Sequence, residues 1–150
     1  MNASTLPSTN IIELAQPEQL AWVNARYAEV DFVASDAQDL VVIASVDGIP
    51  AGQGRVVPLG AGAGELGGML VYDAFKGRGL ARDIIASLCA LPGFSVLYCL
   101  PFADLEGLYG SMGFAQTPDD ASVPPQVSQK YRWCNAHYGK PVLLMKRTAA

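Results

Sequence analysis

A chain of 150 residues that is 51% hydrophobic and only 16% charged can build one ordinary core and is short for two, so a single domain spanning residues 1–150 is expected. Its net charge of -4 argues against capture of nucleic acid, where Lys and Arg must neutralise phosphates. No apolar run approaches the roughly 20 residues that cross a bilayer, and the opening MNASTLPSTNIIELAQ has neither the basic nor the apolar segment of an export signal. These features predict a cytoplasmic protein with no membrane and no nucleic-acid partner.

In chain order, PEQLAWVNARYAEV (17–30) spaces Leu20, Val23, Tyr27 and Val30 as one helical face, with Pro at the first turn. LVVIASVDGIPAGQGRVVPL then predicts two strands about Asp47-Gly48, Pro50 implying a connection slightly longer than a tight turn. The GAGAG loop leads to a third strand, ELGGMLVY (65–72). GAGELG (62–67) matches GxGxxG but runs into β-like GGMLV rather than opening a helix, so it is not read as a dinucleotide fingerprint; no Walker loop occurs either. Leu80, Ile84, Leu88 and Leu91 form the stripe of a second helix ended by Pro92-Gly93, and FSVLYCL reads as a buried central strand. Asp104 is positioned to cap LEGLYGSM, which Gly113 stops. DDASVPPQ reads as a loop, VSQKYRWCNAHY as a short helix and KPVLLMKR as the last strand. The order predicts a mixed α/β domain.

One junction carries chemistry. Lys76-Gly77-Arg78-Gly79-Leu80-Ala81 places glycines and cations where a helix must start after a strand. The first N–H groups of a helix lack internal partners, and the aligned dipoles make that end mildly positive. With close approach allowed by the glycines, this is a phosphate or pyrophosphate cradle; an ordinary turn with solvated cations is the alternative.

Together, MLVYDAFKGRGLA and LYGSMGF resemble the two central signatures of the GNAT superfamily of N-acetyltransferases. The first signature reads Gln/Arg-x-x-Gly-x-Gly/Ala after an apolar strand, with Lys76 here in its first position; the second reads Tyr, a few residues, then Gly-Phe. The resemblance spans about Leu40 to Phe114, and PVLLMK is similar to the family's last strand. It implies a GNAT-like, mainly antiparallel sheet flanked by helices on both faces. It also implies acetyl-CoA as co-substrate, with no metal, and a primary amine of a small molecule or protein as acceptor, attacking directly in a ternary complex.

On that resemblance, the N–H groups of Gly77, Arg78, Gly79, Leu80, Ala81 and Arg82, with the charge of Lys76, would hold the CoA pyrophosphate. The pantetheine arm would pair with the backbone of Met69, Leu70 and Val71, and Gly67-Gly68 would permit a bulge. An alkylammonium, with a pKa of about 10.4, must lose a proton before attack. Glu65 is the candidate base, a solvent-facing carboxylate its alternative. Tyr109 lies on a stripe with Leu105 and Met112, and its match to the family's Tyr implies the acid that protonates the departing thiolate.

The chain also departs from the pattern. Phe102 stands where many relatives have Asn, Asp73 where the family has Pro, and FSVLYCL has no carboxylate, leaving Asp104, Glu106 or a water chain as other bases. These departures keep open an alternative class, a non-catalytic acyl-CoA-binding module. The three cysteines predict reduced thiols, and one histidine, His137, predicts no metal site. Tyr131, Trp133 and Tyr138 are expected in the core or on a dimer surface ahead of an acceptor pocket, so a homodimer remains open. The acids Glu29, Asp31, Asp36, Asp119 and Asp120 are expected to suit a cationic acceptor.

Overall fold

The computed structural model describes residues 9–149. Its strands are β1 (Asn10–Leu14), β2 (Leu40–Val46), β3 (Ile49–Gly60), β4 (Ala63–Val71), β5 (Val96–Cys99), β6 (Ala115–Gln116) and β7 (Met145–Thr148). They form one seven-stranded sheet in the order β1-β2-β3-β4-β5-β7-β6, antiparallel throughout except for β4 and β5. The helices are α1 (Leu20–Glu29), α2 (Leu80–Cys89), α3 (Glu106–Ser111) and α4 (Pro125–His137).

Alternation along the strands divides the core between the two faces. On one face Val42, Ala44, Val56 and Leu66 pack with Ile84, Ile85 and Leu88 of α2 and Tyr109 of α3. On the other, Val41 and Ile43 meet Val23 and Tyr27 of α1, and Tyr98 and Leu144 meet Val127 of α4. Helices therefore cover both faces, as expected. The approach of α2 depends on a missing side chain: a Cβ on Gly54 would lie 2.9 Å from both Ile84 Cγ2 and Met69 Sδ.

Several local expectations change. Asp47 and Gly48 both have positive φ, 51° and 81°, and Val46 pairs with Ile49, so the hairpin turn is a tight two-residue one. Pro50 is accommodated instead by an irregularity after Ala44. Most of GAGAG is strand, not loop. Asp104 caps nothing: a short 3-10 turn, Ala103–Leu105, precedes α3, no side chain caps either start, and Asp104 lies 3.5 Å from Lys140 Nζ. The last strand is shorter and later than KPVLLMKR, while β1 and β6 were not anticipated.

The feature that positions the site is a parting of β4 and β5. Their parallel pairing runs from Ala63↔Val96 to Leu66↔Cys99 and stops. Beyond it β4 continues to Val71 bonded only to β3, while the chain after β5 turns toward Val142, with Leu143 N donating to Pro101 O at 2.8 Å. The break coincides with a bulge in β4: Arg55 pairs with Gly67 and Gln53 with Leu70, so Gly68 and Met69 face Gly54 alone. Gly68 has φ +57°, a conformation that glycine adopts without strain.

Candidate functional site: a cradle, an open strand edge and a cleft

The α2 start is built as the sequence suggests. Gly79, the residue before the helix, is left-handed with φ 75°, and Gly77 likewise with φ 82°. No side chain caps the helix. The first hydrogen bond at this end is Asp83 N to Gly79 O, at 3.4 Å. Among the described residues, no protein acceptor outside the helix receives the N–H groups of residues 77 to 82. Gly77, Arg78, Gly79 and Arg82 are exposed, so the donors are not sealed beneath other side chains.

The three cations are held locally. Lys76 Nζ is 2.8 Å from Asp73 Oδ1, and that neighbour holds the Asp73 carboxyl below its usual pKa. Arg78 lies over the Phe75 ring, and Arg82 Nη1 donates to Ser111 Oγ at 2.7 Å. Exposed contacts of this kind are weak and readily exchanged for a phosphate.

Met69, Leu70 and Val71 lie past the last β4–β5 pair, so this half of β4 is an edge inside the sheet. The resulting opening is a cleft of about 280 Å³. Glu65, Gly67 and Gly68 line it from β4, Arg55 from β3, Cys99 from β5, Tyr109 from α3, Lys130 and Trp133 from α4, and residues 30–33 from the loop after α1. Glu65 and Tyr109, far apart in sequence, thus meet at one cavity.

Glu65 is no surface carboxylate. It is 6% exposed, and its Oε2 accepts a hydrogen bond from Lys130 Nζ at 2.6 Å. Its Oε1 has no hydrogen-bond partner among the described residues. No fully enclosed side-chain oxygen or nitrogen there lacks a partner, so Oε1 opens to the cleft. The Tyr109 hydroxyl also has no partner among the described residues and opens to the cleft, although the residue is 6% exposed and its ring meets Phe114 edge to face. Burial pushes the Tyr109 pKa well above the usual phenol value, with smaller contributions from Cys99 and Cys89, so the group stays protonated.

The acceptor side departs from expectation. Of the five acids named for it, only Asp31 lines the cleft. Glu29 pairs with Arg26, while Asp119 and Asp120 border a separate surface hollow with Arg132. Trp133 and Tyr138, expected in a core or on a dimer surface, form part of the cleft wall. Arg55 was missed. Its sequence signal was a lone charge in the glycine-rich AGQGRVV. Among the described residues no helix is long and apolar enough to cross a membrane, and no cluster of three His, Cys, Asp or Glu side chains could hold a metal.

No family model and no curated protein matches the sequence. Solved structures do match its shape. Rv2747 from Mycobacterium tuberculosis, solved with CoA, superposes with a TM-score of 0.72 at 13% identity, over 93% of this chain and 99% of that one. A Desulfovibrio desulfuricans protein assigned as an acetyltransferase of the GNAT family matches at 0.66 and 16%, over 95% and 100%. The chain has the GNAT fold. N-acetylglutamate synthase from Neisseria gonorrhoeae, solved with CoA and N-acetyl-glutamate, matches at 0.71 and 16% identity over 95% of this chain. This GNAT-fold chain spans only 35% of that synthase's length. Both the synthase and Rv2747 were solved with CoA bound.

Proposed function

We propose that the protein is an acetyl-CoA-dependent N-acetyltransferase that joins cofactor and amine in one ternary complex. The observation that supports this most is the adjacency of two unsatisfied backbone arrays, the N–H groups of residues 77–82 and the open edge at Met69–Val71. A diphosphate answers the first, and the amide-bearing pantetheine answers the second. The thioester then enters the cleft at the Gly68 bulge, where backbone N–H groups can hold the developing oxyanion.

There the acceptor ammonium gives a proton to Glu65 Oε1, directly or through water, and the free amine forms the new C–N bond as the thioester C–S bond breaks. The tetrahedral nitrogen loses a second proton. One of the two ends on the CoA sulfur and the other in solvent, so amide, free thiol and one released proton balance the step. With its pKa raised, Tyr109 stabilises the leaving thiolate by donating a hydrogen bond rather than by giving up its proton outright.

A second reading, CoA binding without transfer, is favoured by the Lys130 ion pair that occupies one oxygen of Glu65. Incubation with acetyl-CoA and a panel of amines, following free thiol, decides between them. Amine-dependent thiol release that falls in Tyr109→Phe supports transfer. Thermal stabilisation by CoA with no release on any amine supports the second reading, and stabilisation by neither CoA nor acetyl-CoA overturns both.

A further inference from the structure

We propose that the acceptor is a free α-amino acid with an apolar side chain, its carboxylate bound by Arg55; this rests on the acetyl-transfer reading of the same cleft. Arg55 is 5% exposed, yet none of the ion pairs among the described residues includes it. Its Nη1 donates to Val33 O and Ser35 Oγ, each at 2.8 Å, and its guanidinium carbon sits 4.6 Å over the Tyr27 ring. Nε and Nη2 have no acceptor among the described residues. Because no fully enclosed side-chain nitrogen lacks a partner, these two donors open to the cleft that Arg55 lines.

A guanidinium withdrawn from water without an anion is costly, and the Tyr27 ring offsets only part of that cost. A ligand carboxylate supplies the rest, since the two remaining donors match its two oxygens. The other charges in the cleft do not compete. Lys130 and Glu65 neutralise each other, and Asp31 is exposed and makes no ion pair with Arg55.

Position narrows the class. Arg55 Nε is 2.9 Å from where a Cβ on Gly68 would stand, so the guanidinium abuts the bulge at which the thioester must be attacked. A carboxylate held there is one carbon from the nucleophile, the spacing of an α-amino acid and not of a peptide N-terminus. The side chain then faces the mouth, where Val30, Phe32, Val33, Leu105, Trp133 and Tyr138 all expose apolar surface and all line the cleft. Apolar surface gathered at a cavity with one fixed polar anchor is the pattern of a small-molecule site.

The test pairs amino acids with their decarboxylated counterparts: L-phenylalanine with phenethylamine and L-leucine with isoamylamine, plus a short peptide, each with acetyl-CoA. The expected kcat/KM is at least about tenfold higher for the amino acids, a difference of about 1.4 kcal/mol. Arg55→Gln should raise KM for phenylalanine at least about tenfold with KM for acetyl-CoA unchanged, and Arg55→Lys should fall between. Because Arg55 also holds the loop after α1, binding to the unaltered protein gives an independent arm. N-acetyl-L-phenylalanine with CoA should raise Tm, and N-acetylphenethylamine should not. Equal turnover of the decarboxylated amines, preference for the peptide, or equal protection by both products overturns the amino-acid assignment alone. Absence of thiol release on every amine overturns the transfer reading with it.

Discussion

Tyr27 donates its hydroxyl hydrogen to the carbonyl oxygen of Gly68 at 2.7 Å, so the first helix sets the backbone at the point where β4 and β5 part. The same ring supports the Arg55 guanidinium, and a Cβ on Gly68 would fall 2.5 Å from the Tyr27 oxygen. Helix, bulge and cation form one unit.

Breaking that unit should therefore cost stability and activity together. Tyr27→Phe leaves a carbonyl without its donor and should cost about 1–3 kcal/mol in urea unfolding. Gly68→Ala combines a positive φ with a clash against Tyr27 and Arg55 and should cost at least as much, with weaker CoA binding by calorimetry. A Gly68→Ala protein as stable as the original would refute this account of the bulge.

The cradle should respond differently, because it is open. Apart from the adjoining residues, no described atom lies within 4 Å of a Cβ placed on Gly77 or Gly79. Alanine at either position should cost only the left-handed strain, about 1–2 kcal/mol, while raising the Kd for CoA by much more than it shifts Tm. Titration of CoA into each variant, beside its melting curve, separates the two effects.

Tyr109→Phe removes a hydroxyl with no protein partner among the described residues, so Tm should change little. The expected loss is in kcat, by about 10²-fold or more, with KM for acetyl-CoA unchanged. An unaltered kcat would remove Tyr109 from the mechanism.

Glu65→Gln keeps the shape of the side chain but not its basicity. We expect kcat to fall by about 10²-fold or more, with KM for acetyl-CoA unchanged. Lys130→Met instead leaves the Glu65 carboxylate buried without its cation and should lower Tm. An unchanged kcat in Glu65→Gln would transfer the base role to another group.

Stability should decline in alkali. Burial raises the pKa of Cys99 and Tyr109, and it also raises that of Tyr72 and Cys89. Above the ordinary thiol and phenol values, about 8.5 and about 10, the unfolded chain releases these protons while the folded chain keeps them. Their contribution is thus complete below about pH 8 and is lost as pH rises through those ordinary values toward the raised ones. Urea midpoints at about pH 7 and about pH 10 test this; equal midpoints would contradict it.

What could be read from the sequence was local. The glycines before α2 and its apolar stripe declare a helix start whatever the rest of the chain does, and Tyr109 and Gly113 mark α3 by spacing alone. Edge strand β1 buries little of its surface and exists because β2 offers it a partner, so Asn10–Leu14 carries almost no pattern. The two residues of β6 depend on β7 in the same way. Asp104 looked like a cap, but a 3-10 turn intervenes and Lys140, 36 positions on by sequence number, stands beside its carboxylate. Arg55 was opaque for a related reason: Tyr27, Val33, Ser35 and Gly68, which give it meaning, come from three other segments. Trp133 and Tyr138 were ranked as core or dimer surface ahead of an acceptor pocket, because nothing local shows that the end of α4 forms the wall of a cavity.

Past Leu66 the sheet leaves a place beside β4 that no strand among the described residues fills. If CoA is seated there, as proposed, completing the sheet and binding the co-substrate become the same event. A ligand that binds only the folded form at a hundredfold excess over its Kd adds about 2.7 kcal/mol of stability. Resistance to proteolysis should then rise and fall with the supply of CoA or its thioester, making the survival of the protein a gauge of that supply.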